Sequence, residues 1–265
     1  MEPGRWHFPS ACPCHLPECF YLAGRQAGPV SYAIRNGFLY PLTVLSFVGM
    51  LMALFITFEG IEGCGKSTQL CLVAEQLRQQ GYSVLTTREP GGCAIAEQIR
   101  ALLLHPDHDI LVPKAELLLY AAARAQHVEQ IIRPALQQGQ LVLCDRFCDA
   151  TLAYQGYARQ LEIAAIEHLN HYACSGLQPD LTFWLDLPVH IGLQRARQRN
   201  EDDALQHEQR FEQQDRQFHE QVRQGYLQLH QQQPERILRI DATGTVAEVT
   251  ERIATLLSSR LHAAS

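Results

Sequence analysis

The sequence has no excess of positive charge and no internal repeat. Its 22 Lys and Arg residues stand against 28 Asp and Glu residues, which gives a formal net charge of −6 at pH 7. Because surfaces that bind nucleic acid are usually basic, this balance argues against nucleic acid as a partner. The 265 residues, 46% of them hydrophobic, fit one α/β domain with a substantial core.

The cysteines do not have the spacing of a disulfide framework. Six of the nine are scattered through the predicted α/β region, which suits the reduced thiols of the cytosol, so we expect a cytoplasmic protein. A separate hypothesis places a zinc-binding interaction module near the N-terminus, although no Cys-x-x-Cys pair follows its candidate ligands. These ligands are Cys12, Cys14, His15 and Cys19.

Residues 1–51 show no clear hydrophobic period. An uncharged run over residues 38–58 is long enough for a membrane span. However, residues 54–58 are needed as a buried strand, and the shorter remainder contains Pro41 and Gly49, so we expect no membrane segment. We expect no cleaved signal peptide either. Met50 and Met52 lie just before the strand, and we interpret residues 1–51 as a poorly ordered extension or a start-codon artefact before a domain over residues 52–265.

Strand-like and helical segments alternate after this extension. Apolar runs predict strands at residues 53–58, 82–87, 140–145, 181–187 and 236–241, with helical patterns between them. This alternation predicts an α/β fold, with a five-stranded parallel sheet covered by helices on both faces. Ligands of such a sheet bind at the carboxyl ends of the strands.

Several helix details can also be predicted. The helix after the first strand should bury Leu70, Val73, Ala74 and Leu77. Pro134 should bend or end the long helix that begins near residue 113. Thr245 and Glu248 form a capping box before the last helix. The apolar face of that helix is expected to contain Val246, Val249, Ile253, Leu256 and Leu257.

A glycine-rich loop between the first strand and the first helix has the pattern G-x-x-x-x-G-K-S. Its glycines allow successive backbone N–H groups to point at an anion, and the following helix adds its positive end. Lys66 can reach the β- and γ-phosphates of ATP, and the Ser67 hydroxyl can bind Mg²⁺. The predicted ATP-binding residues of the loop are Gly60, Ile61, Glu62, Gly63, Cys64, Gly65, Lys66, Ser67 and Thr68. Together with the predicted sheet, this loop favours the P-loop kinase fold.

Charged residues follow the neighbouring strands. Asp145 ends the third strand, where its carboxylate can hold Mg²⁺ together with Ser67. Arg88 and Arg146 end adjacent strands and can bind an acceptor phosphate. The loop contains no arginine, so further positive charge for phosphoryl transfer must come from elsewhere. The segment after the fourth strand supplies candidates in Arg195, Arg197 and Arg199, for which a solvated helix face remains the alternative.

Five segments resemble bacterial thymidylate kinase, which moves the γ-phosphate of ATP to dTMP. They are FEGIEGCGKSTQ, TREPGG, YAAARAQH, DRFCDATLAYQG and GLQRARQR, in this order. The resemblance covers residue 53 to the C-terminal helix. REPGG with DRF…AYQG is more specific than the phosphate loop, which many enzymes share.

The resemblance implies roles for individual residues. Tyr120, where phenylalanine is usual, would stack on thymine, and Arg124 would contact the base. Arg88 and Arg146 would bind the dTMP phosphate, with Tyr154 and Gln155 in the nucleoside wall. A mobile lid would begin near Arg195, which would bind ATP, and Arg199 would be the catalytic arginine. A homodimer is also expected.

Glu62 is unusual because it places a carboxylate inside an anion-binding loop. We expect its side chain to point away from the phosphates. There it can accept a hydrogen bond from the deoxyribose 3′-OH or order a nearby arginine, and plain solvent exposure is the alternative.

Two other functions remain open from the residues alone. The chain could phosphorylate a different small acceptor, although Arg88 and Arg146 favour a phosphorylated acceptor over a nucleoside. A nucleotide-binding switch protein should contain an N-K-x-D motif, which the sequence lacks.

Overall fold

The computed structural model describes residues 31–35, 38–42, 53–108, 110–202, 210–211 and 214–263. The chain divides into a unit over residues 1–47 and a unit over residues 48–265. In the first unit, β1 (Ser31–Arg35) and β2 (Phe38–Leu42) form an antiparallel hairpin that pairs Ser31 with Leu42. The proposed zinc ligands between residues 12 and 19 lie outside the described residues. The domain boundary at residue 52 stays a prediction.

The second unit contains a five-stranded parallel sheet, as the sequence predicts. Its strands are β3 (Phe55–Glu59), β4 (Val84–Arg88), β5 (Leu141–Asp145), β6 (Leu181–Asp186) and β7 (Ile237–Asp241). They lie in the order β4-β5-β3-β6-β7. The register pairs Phe58 with Asp145 and Asp145 with Arg88. The carboxyl ends of β3, β4 and β5 therefore meet at one edge, where the sequence predicts the ligand site.

Nine α-helices belong to the described part of this unit. They are α1 (Lys66–Gln79), α2 (Ala94–Leu104), α3 (Pro113–His127), α4 (Arg133–Gln137), α5 (Cys148–Thr151), α6 (Ile163–Ala173), α7 (Val189–Asp202), α8 (Arg216–Gln232) and α9 (Val246–Ala263). Two π-helical segments, Val128–Ile132 and Leu152–Ala158, continue α3 and α5, and a short 3₁₀ helix spans Pro106–His108. None of the described helices has the length and apolar character needed to cross a membrane.

The helices cover the sheet with their apolar sides. In α1 the predicted face is buried, with Leu70, Val73, Ala74 and Leu77 in the core. Helix α1 packs against α9, where the Thr250 hydroxyl donates to Gln69 Oε1 over 2.8 Å. Strand β3 is buried along its whole length, as expected for the central strand of a covered parallel sheet. This packing fixes the point at which the phosphate loop leaves the sheet.

Two helix predictions need correction. Val246 was predicted on the buried face of α9, but it is 53% exposed because it lies in the first turn, between Thr245 and Glu248 of the capping box. The capping box itself is confirmed. Pro134 does not end the helix at its own position, since α4 continues to residue 137, and the predicted bend stays a prediction. The π-helical turn Val128–Ile132 directly precedes Pro134. Its wider hydrogen-bond spacing suits a position where the proline lacks an N–H donor.

Candidate active site

The phosphate loop, residues 60–67, connects β3 to α1 at the carboxyl edge of the sheet. Gly65 has φ 95° and caps α1 without a side-chain hydrogen bond, so the first amides of the helix are left for a ligand. Gly63 has φ 68°, and a Cβ there would clash with the backbone carbonyl of Gly192 in α7. A Cβ on Gly192 would in turn clash with the carbonyl of Glu62. The loop and the first turn of α7 are therefore in backbone contact.

Lys66 lies against the loop that precedes it. Its Nζ donates to the carbonyl of Ile61 over 2.9 Å and to that of Gly60 over 3.3 Å, and the residue is buried. The ammonium is thus held beside the anion-binding amides. A phosphate that enters the loop can replace these carbonyls as the partner of the ammonium.

Ser67 and Asp145 face each other across the strand edge. The Ser67 hydroxyl donates to Asp145 Oδ2 over 2.5 Å. Hydroxyl and carboxylate oxygens are the ligand types that Mg²⁺ uses beside nucleotide phosphates. The donor chemistry of this pair therefore fits Mg²⁺.

Glu62 binds the arginine that follows β5. Its Oε1 accepts from Arg146 over 3.0 Å and from the Tyr154 hydroxyl over 2.6 Å. Arg146 has a left-handed φ of 69°, donates to the Gly60 carbonyl over 3.0 Å and stacks on the Tyr154 ring at 4.8 Å. The carboxylate of Glu62 is thus not solvent-exposed, and it orients a guanidinium beside the phosphate loop.

His219 of α8, which the sequence did not reveal as a site residue, contacts the other carboxylate oxygen. Its Nδ1 lies 3.1 Å from Glu62 Oε2, and the imidazole is fully buried. Burial alone would raise the pKa of Glu62, but His219, Arg146 and Lys66 together hold that pKa well below its usual range. Glu62 is therefore ionised when the protein is folded at neutral pH.

A second buried ion pair lies after β4. Glu89 accepts from Arg124 Nε over 2.7 Å, and its other oxygen lies 2.9 Å from His127 Nδ1. Burial would raise the pKa of Glu89, but Arg124 and His127 lower it. The Arg124 guanidinium also donates to Asn170, to the Thr151 hydroxyl and to the Phe147 carbonyl. Arg124 is thus held in one orientation by residues from three elements.

One cavity of about 290 Å³ joins the phosphate loop to these residues. It brings together most of the side chains predicted for the site. They are Glu62, Lys66, Ser67, Arg88, Tyr120, Arg124, Asp145, Arg146, Tyr154 and Gln155. Arg88 is half exposed and pairs with Glu97 over 3.0 Å at the rim. An anion-binding loop therefore opens into a pocket with aromatic and cationic walls.

We compared the chain with known protein families. The family model described as thymidylate kinase matches residues 58–253 of the chain. This chain belongs to the thymidylate kinase family.

Curated members of the thymidylate kinase family align along nearly their whole length. The thymidylate kinase of Syntrophotalea carbinolica is 57% identical over 211 residues, which is 80% of this chain and 98% of the relative. That of Trichlorobacter lovleyi is 54% identical over 208 residues, 78% of this chain and 98% of the relative. The crystal structure of thymidylate kinase from Ehrlichia chaffeensis superposes with a TM-score of 0.62 at 33% identity, covering 78% of this chain and 98% of that one.

Arg100, Phe211 and Glu116 are among the residues that line or support the cavity of this thymidylate kinase family member without having been predicted. Arg100 and Phe211 line it directly. Glu116 of α3 lies behind Gln155, which donates to it over 2.8 Å, and is fully buried. A single acid within the apolar pattern of α3 is the only sequence signal that points to Glu116.

The lid arginines are only partly described in this thymidylate kinase family member. Arg195 and Arg197 lie on α7 with exposed side chains. Arg199 belongs to the same helix, but its side chain, like residues 203–209, lies outside what the structure describes. The assignment of the catalytic arginine therefore stays a prediction.

Proposed function

We propose that this chain transfers the γ-phosphoryl group of ATP to dTMP and releases ADP and dTDP. The single observation that carries the proposal is the continuous cavity between the phosphate loop and the pocket of Tyr120, Arg124 and Gln155. Such a cavity can hold a donor triphosphate and an acceptor nucleotide end to end, as direct transfer requires.

The donor triphosphate lies on the amides of residues 60–68. Lys66 leaves the loop carbonyls and binds the β- and γ-phosphates, and Arg195 binds ATP from α7. Ser67 and Asp145 would hold Mg²⁺, which would supply positive charge to the phosphate oxygens. Their 2.5 Å hydrogen bond supports this assignment because it places the hydroxyl and the carboxylate side by side at the end of the phosphate loop.

The acceptor dTMP lies in the other half of the cavity. Tyr120 stacks on thymine, which suits its position on α3 in the cavity wall. Arg124 Nη1 donates once to Asn170 and keeps a second hydrogen that can reach a thymine carbonyl. Tyr154 and Gln155 form the nucleoside wall.

The acceptor phosphate is held by Arg88 and Arg146. The Arg146 guanidinium is already oriented by Glu62, which favours the second of the roles expected for this carboxylate. Glu62 also accepts a hydrogen bond from the deoxyribose 3′-OH in this proposal. A fixed guanidinium loses little freedom on binding the phosphate, which aids transfer.

The test is an ADP-release assay with dTMP, dUMP, dCMP, AMP and GMP as acceptors. We expect the highest kcat/KM for dTMP, because the donor hydrogen of Arg124 would meet the amino group of cytosine in dCMP. A Tyr120→Phe variant serves as the matched control and should keep this order, since stacking does not need the hydroxyl. Equal kcat/KM for dTMP and dCMP would contradict the proposal that this pocket selects thymine over cytosine.

The assembly is proposed to be a homodimer in the cytoplasm. Ile95 and Leu102, one heptad apart on α2, and Leu118 on α3 are large apolar side chains with 50% or more of their surface exposed. Exposed large apolar side chains on two helices that pack together are typical of a subunit interface. Leu102→Glu should shift the mass measured by light scattering from dimer to monomer, whereas Leu72→Glu on α1 should not. Cys64, Cys93, Cys144, Cys148 and Cys174 are free thiols, which fits the cytoplasm.

Residues 52–265 are proposed to be the complete catalytic unit. The family match begins at residue 58, and the curated relatives align over 98% of their length to about four fifths of this chain. A chain that starts at Met52 should therefore fold and keep full activity in the same assay. A large loss of activity in this shortened protein would contradict the proposal and would show that residues 1–51 contribute to activity.

A further inference from the structure

Two cysteine thiols face each other behind the acceptor pocket. Cys148 is the first residue of α5, and Cys174 caps the C-terminal end of α6. Their Sγ atoms lie 3.3 Å apart, and both are free thiols. A disulfide has an S–S distance of about 2.05 Å, so the sulfurs need to approach by only about 1.3 Å.

The two thiols differ in access to solvent. Cys148 is partly exposed at the wall of a surface groove of about 490 Å³, which also contains His168, Gln178 and Arg236. Cys174 is buried, with 1% of its surface exposed, and does not line the groove. A small reagent can therefore reach Cys148 first, and Cys174 can reach only the sulfur of Cys148.

We propose that Cys148 and Cys174 form a reversible intramolecular disulfide when the protein meets a low-molecular-weight disulfide. The Cys148 thiolate attacks one sulfur of the reagent RSSR, forms a Cys148–S–SR mixed disulfide and releases one thiolate RS⁻. The Cys174 thiolate then attacks the Cys148 sulfur, forms the S–S bond and releases the second RS⁻. The two protein thiols lose two protons and two electrons, and RSSR is reduced to two RSH.

The surroundings make this a slow reaction under reducing conditions. Burial raises the pKa of the Cys148 thiol well above its usual value, and the hydrogen bond to Cys174 and the Glu89 carboxylate act in the same direction. The Arg124 guanidinium opposes them. Little thiolate is present at neutral pH, so Cys148 reacts slowly with the oxidising reagent.

The cross-link would also act on the acceptor pocket, and this part rests on the proposed function. Arg124 donates to Asn170 and to the carbonyl of Phe147, the residue before Cys148. Asn170 in turn donates to the Cys148 carbonyl over 3.4 Å. Because the approach of the two sulfurs moves α5 against α6, it shifts the partners of Arg124. We expect a higher KM for dTMP with an unchanged KM for ATP.

The experiment treats the full chain with oxidised glutathione and maps disulfides in unreduced peptides by mass spectrometry. We expect a peptide pair joined through Cys148 and Cys174, restored to free thiols by dithiothreitol, and a several-fold rise in the KM for dTMP. Cys174→Ser should trap one glutathione on Cys148. Cys148→Ser should leave Cys174 unmodified. Cys71→Ser, which removes a thiol of α1, should behave like the wild type.

The outcomes separate the parts of the proposal. Free thiols at both positions after treatment, or a stable glutathione adduct on wild-type Cys148, would overturn the disulfide. A mapped Cys148–Cys174 disulfide with no change in the KM for dTMP would overturn its coupling to the acceptor pocket. If dTMP were not a substrate at all, the proposed function would fail, and the peptide map would still decide on the disulfide.

Discussion

The Glu116 carboxylate lies 2.7 Å from the Arg210 guanidinium, and both side chains are buried. Glu116 belongs to α3, which also carries Tyr120 and Arg124. Arg210 follows residues 203–209, in the segment where we place the lid. The same carboxylate lies 3.5 Å from Arg159 Nε. Glu116 therefore connects the end of the lid segment to α3, the helix that lines the acceptor pocket.

We expect Glu116→Gln to weaken both the fold and the binding of dTMP. Loss of this charge removes the counter-ion of the buried Arg210 and of the partly exposed Arg159, and breaking a buried pair costs roughly 3–5 kcal/mol. Urea unfolding gives the stability, and steady-state kinetics gives the KM for dTMP. Glu251→Gln, at an exposed position on α9, is the control and should change the unfolding free energy by less than about 0.5 kcal/mol. Equal effects of the two substitutions would refute the role of Glu116.

Lys66→Ala should remove most turnover and leave the fold intact. Loss of one preorganised donor to the transferring group typically lowers kcat by about 10²–10³-fold. Circular dichroism should remain that of the wild type, because the ammonium of Lys66 bonds only within its own loop, to the carbonyls of Gly60 and Ile61 and to Cys64 Sγ. Near-normal kcat would show that the loop is not the donor site.

Arg199→Ala should lower kcat strongly and change the KM for dTMP little. The loop supplies no arginine, and an arginine that reaches the γ-phosphoryl group on closure is worth roughly 10³–10⁵ in kcat. Arg195→Ala should act mainly on ATP binding. Steady-state kinetics with both substrates varied will show which arginine of α7 is catalytic. A kcat loss in Arg195→Ala or Arg197→Ala, but not in Arg199→Ala, would mean that we have assigned the wrong arginine.

Glu62→Gln should lower kcat and reduce stability in a pH-dependent way. Without the charge of Glu62, Arg146 loses its orientation, and a misplaced group can cost up to about 10²-fold in rate. Because folding lowers the pKa of Glu62, its stabilising contribution is complete above the unfolded pKa of about 4.3 and disappears as the pH falls further. The difference in unfolding free energy between wild type and variant should therefore shrink below pH 4. Glu220→Gln, which removes an exposed ion pair on α8, should show no such trend.

Glu59 should give the opposite pH dependence. It is fully buried, accepts from Phe147 N and from the Tyr226 hydroxyl, and has a pKa raised to about 8 by burial and by Asp149. The unfolded chain loses this proton near pH 4 and the folded protein near pH 8. Between these values stability falls as pH rises, by at most about 1.4 kcal/mol per pH unit. Glu59→Gln should remove this decline. Urea unfolding from pH 5 to 8 would contradict the prediction if the unfolding free energy had the same pH dependence in the wild type and the variant.

Periodicity predicted the five strands of the parallel sheet to within two residues, but not the hairpin of β1 and β2, and loop chemistry predicted the position of the phosphate loop between β3 and α1. These features depend on neighbours in the chain, as Gly65 and Lys66 show. The strand order and the roles of His219 and Glu116 could not be predicted, because their partners lie far away in sequence. Glu62 meets His219 across 157 positions, and Glu116 meets Arg210 across 94. Sequence pattern does not show which buried charges will meet.

Gly192 determines where the proposed lid can pivot. The first turn of α7 touches the phosphate loop at Gly63, with no room for a Cβ on either residue, so this turn cannot slide without carrying the loop. Ala196 is buried at the end of this anchored part. The three residues from there to Arg199 add about 4.5 Å of helix. Arg199 thus lies a short, fixed distance beyond a helical turn that contacts the ATP-binding loop. A bulkier residue at position 192 would therefore displace the phosphate loop and Arg199 together.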